Sequence, residues 1–189
     1  MNLYFRLIIV CLSTLFKPKI TKILDPFHRS FRVLPNDLDL NMHMNNGRYL
    51  SIMDLGRLEL LVRSGIMRQM MRSKAIPVLS GVQMRYRLEL RPWQKYILET
   101  KITGWDEKWV FIEQRFIIKE GKKAGETAAI GILKGAFFDK NTKQTVPTSD
   151  LLKSVGLEVE SPELPEYITK WAETEEALRP YTKTQSLET

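Results

Sequence analysis

Residues 37–49 read DLDLNMHMNNGRY and stand directly before the longest helical pattern of the chain. Polar residues alternate here with Leu and Met, and the stretch holds two carboxylates, three amides and one of only two histidines. From Asn45 or Asn46 to about Gly65, apolar residues recur at helical spacing, and Asn is a favourable residue at a helix start. The stretch is therefore either a strand that leads into a buried helix or a polar site at a helix N-terminus.

Four segments with the alternating pattern of strands follow this helix. They are PVLSGVQMRYRLEL, KYILETKITGW, WVFIEQRFIIKE and TAAIGILKGAFFD. Turn residues at 105–108 and 120–123 separate successive segments, and 139–141 follow the last one. Because such short turns join neighbouring strands, the pattern predicts antiparallel pairing.

The remaining elements complete an α+β order. A first strand is predicted near Phe27–Pro35, a short helix over 66–73, and two helices beyond Pro147. A single apolar helix needs a sheet wrapped around it to be buried. We therefore expect an apolar and basic helical segment over 1–24, a central domain over 25–145, and C-terminal helices with a polar tail over 146–189.

The composition limits the classes of partner and cofactor that are expected for this protein. The 189 residues are 43% hydrophobic and 27% charged, as in a globular protein, and the net charge is +7. A basic surface favours anionic partners such as membrane headgroups, coenzyme A or acyl carrier protein. Dense basic runs with interleaved aromatics are lacking, so nucleic acid is not expected. Cys11 is the only cysteine, which excludes Cys-pair zinc sites and fits a cytoplasmic location; no metal or cofactor is predicted.

The N-terminal stretch LYFRLIIVCLSTLF (residues 3–16) is apolar apart from Arg6, and Lys17, Lys19 and Lys22 follow it. It is short for a membrane span, which needs about 20 apolar residues. Two interpretations stay open. The segment 3–22 contacts the surface of a membrane that faces the cytoplasm, or its helix packs on the domain or on a partner subunit. A transmembrane anchor ranks third.

This order of elements, together with residues 37–49, resembles the hotdog-fold acyl thioesterases, in which an antiparallel sheet wraps a long central helix. Their motif D-x-D-x-x-G-H-V-N-N-x-x-Y stands before that helix. The residues that match it are Asp37, Asp39, His43, Asn45, Asn46 and Tyr49. Over about residues 1–140 the chain is most similar to the "member six" branch, with which it shares the apolar N-terminus, DLDL, HMNN and GWD at 104–106.

The resemblance implies hydrolysis of a fatty-acyl-CoA or an acyl carrier protein thioester, by a homodimer with active sites at the subunit interface. Asp39, Asn41 and His43 are similar to the catalytic network of acyl carrier protein thioesterases, and Glu89 is the counterpart of its later Glu. Asp54 lies on the central helix where hotdog enzymes often have a Glu. Its alternative role is an ion pair with Arg57 or Arg85.

Thioester hydrolysis needs a polarised carbonyl and either an activated water or a nucleophilic carboxylate. The backbone N–H groups around Asn46 and Gly47 are candidate donors to the oxyanion, because a helix start carries unpaired donors and a positive dipole end. Asp39 is a candidate base or nucleophile. Alternatively His43 activates water, with Asp39 orienting its ring and Asn41 holding water or the carbonyl. In an extended segment these three side chains would share one face.

Each of these residues has a structural alternative. The alternative for Asp39 is a turn residue bonded to nearby amides, for His43 a hydrogen-bonded structural histidine, and for Glu89 an ion-pair partner of neighbouring arginines. Asn45 and Asn46 are alternatively helix-capping residues or residues whose side chains hydrogen-bond within the loop. Met42 replaces the Gly of the motif, and Gly allows positive φ and close approach of a pantetheine arm.

Met42 therefore also favours a second function, a non-catalytic hotdog module that binds acyl chains or lipids, or that scaffolds a membrane complex. Apolar residues that would line an acyl tunnel are more simply explained as core. They are Met44, Met53, Met67, Met70, Met71, Phe111 and Phe116.

Overall fold

One six-stranded antiparallel sheet forms the body of the protein in this computed structural model, which describes residues 2–182 and side chains from residue 4 to 181. The strand order is β1-β3-β4-β5-β2, and β6 pairs with β5. The strands are β1 (Phe27–Arg32), β2 (Ala75–Tyr86), β3 (Lys95–Trp105), β4 (Val110–Ile118), β5 (Thr127–Asp139) and β6 (Thr145–Val146). Most of the predicted polar tail, residues 183–189, lies outside the described residues.

Five α-helices surround or fill this sheet. They are α1 (Asn2–Leu15), α2 (Asn46–Arg63), α3 (Ile66–Ser73), α4 (Thr148–Ser154) and α5 (Glu166–Ala177). Single 3₁₀ turns stand at Pro35–Asp37 and Arg179–Thr182. The long α2 is the central helix, and its buried face packs on β3. The α+β class and the helix wrapped by an antiparallel sheet are thus confirmed.

Gly56 lets α2 lie directly on the sheet. A Cβ at this position would stand 2.6 Å from Leu98 Cδ2, 2.7 Å from Gln114 Nε2 and 2.9 Å from Thr100 Oγ1. Gln114 is fully buried and donates from Nε2 to the Met53 carbonyl and to Thr100 Oγ1. The contact is therefore tight and hydrogen-bonded, with no room for a methyl group.

We expect Gly56→Ala to lower the free energy of unfolding by about 1–3 kcal/mol, because crowding outweighs the gain of about 1 kcal/mol that Ala brings to a helix. Chemical denaturation measures the change. Ser51→Ala, on the same helix, is the control and is expected to stay within about 0.5 kcal/mol of wild type. A Gly56→Ala variant as stable as wild type would contradict the close packing.

Three predicted boundaries are wrong, and the first is the end of β1, which lies at Arg32 instead of Pro35. The strand expected to reach Leu90 ends at Tyr86, because the amides of Arg87 and Leu88 both donate to the Ala128 carbonyl, at 2.8 and 2.9 Å. The ladder cannot continue past this shared acceptor, so Glu89 lies in a loop. The N-terminal helix stops at Leu15 instead of reaching residue 24. Pro18 disfavours helical backbone in the residue before it.

The apolar residues considered for a tunnel are mostly core. Met44, Met53, Met70, Phe111 and Phe116 are buried. Met67 is half-buried and Met71 is exposed. The simpler explanation therefore holds for the five buried residues.

The helix α1 packs on α2, and its inward side carries the polar Arg6, Ser13 and Thr14 as well as Val10, which joins the core. Arg6 lies 2.5 Å from the buried Asp37, and Arg29 donates to Ser13 at 2.6 Å. Directly after the helix, Lys17 lies 2.7 Å from the fully buried Glu59. Within residues 2–182, no helix combines the length and hydropathy of a membrane span.

Candidate functional site

The loop before α2 is a tight turn. Leu38 and Met44 form an isolated antiparallel bridge, and the Asp39 amide donates to the His43 carbonyl at 2.9 Å. The Met42 amide donates back to the Asp39 carbonyl at 3.1 Å. The extended segment that would place Asp39, Asn41 and His43 on one face is therefore absent here, because the chain reverses between these residues.

Asp39 fixes this turn. Its Oδ1 accepts the amides of Asn41 at 2.9 Å and of His43 at 3.2 Å. The expectation that Asp39 orients the His43 ring is wrong, because its described bonds go to backbone amides. This geometry matches the alternative role as a turn residue. Asn41 is exposed beside it.

The His43 ring instead faces Glu89, with Nε2 2.9 Å from Oε2. Arg91 holds the same carboxylate from its other side at 2.5 Å. The hydrogen bond from Arg91 lowers the pKa of Glu89, outweighing a rise from desolvation, and the charges of Arg91 and His43 add to the lowering. Glu89 is therefore a carboxylate at neutral pH. Because a carboxylate only accepts, a hydrogen bond across this contact would place the proton of a neutral His43 ring on Nε2 and leave Nδ1 as an acceptor.

A backbone bond brings the two loops together. The Met44 amide donates to the Leu90 carbonyl at 2.9 Å, so the residues that follow His43 and Glu89 are paired. The early end of β2 releases Glu89 from the sheet and lets its side chain reach the ring.

The start of α2 presents one unpaired donor. Asn45 is the N-cap, and its Oδ1 accepts the Gly47 amide at 2.9 Å. Gly47 is thus occupied, contrary to its expected role as an oxyanion donor. The exposed Asn46 N–H has no acceptor among the described residues, and it lies at the positive end of the helix dipole. Asn46 follows His43 by three residues, so donor and imidazole belong to one short loop.

Tyr86 and Arg6 support this loop, a role that the sequence pattern does not indicate for either residue. The Tyr86 hydroxyl donates to the Asn46 carbonyl at 3.1 Å, and its ring packs edge-on against buried Tyr49. Arg6 holds Asp37, whose carbonyl accepts the Asn45 amide at 2.8 Å. Each of these partners is distant along the chain, so spacing alone carries no signal.

Met42 adopts the backbone conformation that glycine favours. Its φ is 59°, in the left-handed region, and its side chain is exposed. The turn therefore keeps the shape that Gly would give, at a cost of about 1–2 kcal/mol for an L-residue. The long side chain projects beside the turn that carries His43.

We expect Met42→Gly to change the free energy of unfolding by less than about 1 kcal/mol, because relief of strain offsets the greater freedom of Gly in the unfolded chain. Met71→Gly is the matched control. Met71 is exposed at a helical position of α3, where the substitution costs about 1 kcal/mol. Thermal and chemical denaturation compare the two, and a larger loss for Met42→Gly than for Met71→Gly would contradict the assignment.

Asp54 lies two turns further along α2 and is exposed. It forms an ion pair with Arg57 rather than Arg85. Burial lowers the pKa of Arg57 to about 10, and its guanidinium also donates to Gln114 Oε1 at 3.1 Å. Asp54 has no described contact with His43 or Glu89, so the structure holds two separate acidic candidates.

An apolar cleft of about 290 Å³ opens beside Asp54 and Arg57. It lies between α2, α3, β2, β4 and β5. Its apolar lining comprises Leu58, Leu60, Leu61, Met67, Pro77, Val78, Leu79, Val110, Ile112, Leu133, Ala136 and Phe137. Within residues 2–182, His, Cys, Asp and Glu side chains form no group of three that would hold a metal ion.

Known proteins similar to this chain share the fold and the family. Protein THEM6 of Xenopus laevis is 32% identical over 89% of this chain and 77% of its own length. The Danio rerio protein of the same name is 35% identical over 61% of this chain, and the match spans only 57% of that protein. A hypothetical protein from Staphylococcus aureus, SAV2348, solved in complex with CoA, superposes with a TM-score of 0.61 at 13% identity, over 79% of this chain and 96% of that one.

The family model of the thioesterase-like superfamily matches residues 33–171, which include every candidate site residue. This match covers well over half of the chain and agrees with the helix wrapped by an antiparallel sheet. The protein therefore belongs to the thioesterase-like superfamily and has its hotdog fold.

Proposed function

We propose that the protein hydrolyses fatty-acyl-CoA thioesters at the turn that carries His43. The observation that carries this proposal is the 2.9 Å contact between His43 Nε2 and Glu89. It leaves Nδ1 as a base three residues before the unpaired Asn46 N–H. A base and an oxyanion donor on one short loop are what direct attack of water on a thioester requires.

In the proposed reaction, the thioester carbonyl oxygen accepts the Asn46 N–H. His43 Nδ1 takes a proton from water as its oxygen bonds to the carbonyl carbon. The negative charge moves to the carbonyl oxygen, where the Asn46 N–H and the helix dipole stabilise it. Collapse of this intermediate breaks the C–S bond, and the imidazolium returns its proton to the leaving sulfur. The products are a free fatty acid and the thiol of CoA.

Glu89 and Asp39 have positioning roles in this scheme. Glu89 orients the ring and stabilises the imidazolium, and the bond from Arg91 keeps Glu89 ionised by lowering its pKa. Asp39 holds the turn through the amides of Asn41 and His43. Asn41, exposed beside this turn, is the candidate to hold water or the carbonyl. The scheme uses no nucleophilic attack by Asp39, whose Oδ1 holds the turn.

Three observations support the substrate class. The cleft beside Asp54 is lined almost wholly by apolar residues and would suit a flexible acyl chain, and none of its lining residues belongs to the turn that carries His43. A solved structure of the same fold was obtained in complex with CoA. The net charge of +7 favours the phosphates of CoA, and it equally suits an acidic carrier protein.

We also propose a homodimer joined through β2. This strand is an end of the sheet order, so one of its edges has no partner strand among the described residues. Val78, Leu79 and Val82 on it are exposed apolar residues, which long edge strands normally avoid. Sedimentation equilibrium should give twice the chain mass of 22.1 kDa. A purely monomeric protein would exclude this arrangement.

Purified protein assayed with a panel of acyl-CoAs tests the substrate class. We expect kcat/KM to rise from acetyl-CoA to medium-chain acyl-CoA by about tenfold or more, since each buried methylene contributes about 0.8 kcal/mol. A benzoyl-type thioester serves as the bulky comparison, and acyl carrier protein thioesters form a second arm. Preference for the aromatic or the acetyl substrate would overturn the proposed acyl class.

A further inference from the structure

The outer face of α1 is apolar, although helices on a domain surface normally expose their polar side. Its exposed large residues are Tyr4, Phe5, Ile8, Ile9, Leu12 and Leu15, and Phe16 follows the helix. The exposed fraction of these residues runs from 46% to 88%. Contiguous apolar surface of this size marks an interaction site.

Ion pairs hold this face outward. The inner side of α1 carries Arg6, which pairs with Asp37, and Ser13, which accepts from Arg29. Lys17 just beyond the helix pairs with buried Glu59. Turning the helix over would break these contacts and take one cationic partner from each of two buried carboxylates, Asp37 and Glu59, which is unfavourable. The apolar outer face is therefore a fixed feature of the domain.

A cationic cleft begins where α1 ends. Lys19, Arg68 and Arg72 line it, together with residues that flank the start of α3. None of these three side chains forms an ion pair in the part of the chain that the structure describes. Residues 1–24 contain no Asp or Glu, so nothing acidic in this segment neutralises the cluster. The surface around the C-terminal end of α1 is thus apolar and basic together.

We infer that α1 docks in the plane of an anionic lipid bilayer, with its outer face in the acyl region and the cationic cleft on lipid phosphates. The charge pattern favours lipid over a second copy of this chain at this face, because a copy packed face to face would bring its own Lys19, Arg68 and Arg72 to the same basic surface. Apolar insertion beside basic residues is the pattern of helices that lie in the membrane interface. This docking is independent of the proposed hydrolysis.

The docked helix would also touch the support of the candidate site. Arg6 of α1 holds Asp37, and the Asp37 carbonyl accepts the amide of the N-cap Asn45. The surface that binds lipid and the loop that carries His43 are therefore joined through two side chains. Membrane docking places this loop close to a bilayer without needing a separate linker.

Co-sedimentation of the full chain with vesicles tests the inference, using phosphatidylcholine alone and phosphatidylcholine mixed with phosphatidylserine. Wild type is expected to bind the mixed vesicles more tightly, with weaker binding at high salt. Ile8→Ser combined with Leu12→Ser should weaken binding to both vesicle types by about 100-fold or more. Arg68→Gln combined with Arg72→Gln should weaken binding to the mixed vesicles alone, by about 25-fold.

Matched controls come from exposed residues elsewhere. Val159→Ser removes an exposed apolar side chain outside α1, and Lys122→Gln with Lys123→Gln removes two exposed positive charges. Both control variants should bind vesicles like wild type. An environment-sensitive dye on Cys11, the only cysteine and exposed on α1, should shift to shorter wavelength with mixed vesicles. Circular dichroism confirms that each variant is folded. Wild type that stays in the supernatant would overturn the inference, and so would α1 variants that bind unchanged or that only dissociate an oligomer.

Discussion

His43→Ala should lower kcat for acyl-CoA hydrolysis by about 10²- to 10⁴-fold, the range that a positioned general base contributes. KM should change little, because the ring acts on water rather than on the acyl chain. Glu89→Gln should lower kcat by about tenfold or more, since an uncharged amide orients the ring without stabilising the imidazolium. Thiol release under saturating substrate measures both.

The chain supplies its own control for this experiment. His28 faces Glu99 with 2.8 Å between Nε2 and Oε2, on strands β1 and β3 and away from the helix start. It is the other histidine, with a pairing of nearly the same length. If only the His43–Glu89 pair takes part in catalysis, His28→Ala should leave kcat within about twofold of wild type. Equal losses in the two variants would contradict the assignment.

Asp54→Asn separates the two acidic candidates. The proposed mechanism uses no proton transfer at Asp54, so this variant should retain most of kcat. If Asp54→Asn abolishes hydrolysis while His43→Ala does not, the chemistry belongs to the central helix beside the apolar cleft. That result would still fit the family but would overturn the site proposed for it.

Glu59→Gln should lower the free energy of unfolding by about 3–5 kcal/mol, the cost of breaking a buried charge cluster from one side. Glu59 is fully buried on α2 and bonds to Lys17, Arg29 and Arg63, at 2.7, 2.5 and 3.0 Å. The amide keeps the shape of the side chain but removes the negative charge that these three cations share. The three cations would then repel one another in a poorly solvated environment that holds no negative charge from residue 59.

The pH dependence of stability gives this prediction a second readout. Burial raises the pKa of Glu59, but hydrogen bonds and charges from Lys17 and Arg29 outweigh it, so the net pKa is lowered. A carboxyl with a lowered folded-state pKa stabilises above its unfolded pKa and loses that contribution as pH falls through the folded value. Wild type should therefore lose stability in acid more steeply than Glu59→Gln. Glu99→Gln, at a partly exposed pair, should cost no more than about 1 kcal/mol.

Local patterns predict most of the fold for physical reasons that can be named. The helix over 46–63 follows from apolar spacing, the cap at Asn45 and the left-handed Gly65 that ends it. The end of β2 cannot be read in the same way. RLEL alternates as a strand does, and only the shared acceptor at Ala128 on β5 ends the pairing.

Local patterns likewise predict some features of the candidate site and miss others. Asn45 is identifiable as a cap because capping is a local interaction. Asp39, four residues from His43, is the obvious orienting partner by distance along the chain, yet the ring faces Glu89 from a different loop. Resemblance suggests Glu89, whereas spacing favours only its pairing with neighbouring arginines; the structure holds both contacts. The inward placement of Arg6 and Ser13 on α1 depends on Asp37 and Arg29, which no pattern within residues 1–24 reveals.

The most direct test of hydrolysis is multiple-turnover incubation of purified protein with a medium-chain acyl-CoA, followed by mass spectrometry of small molecules and of the intact protein. We expect free acid and CoA in equal amounts, many equivalents per chain, and no acyl ligand retained on the protein. Intact acyl-CoA recovered in full, or bound unhydrolysed to the chain, would contradict the proposed activity and favour a non-catalytic acyl-binding module.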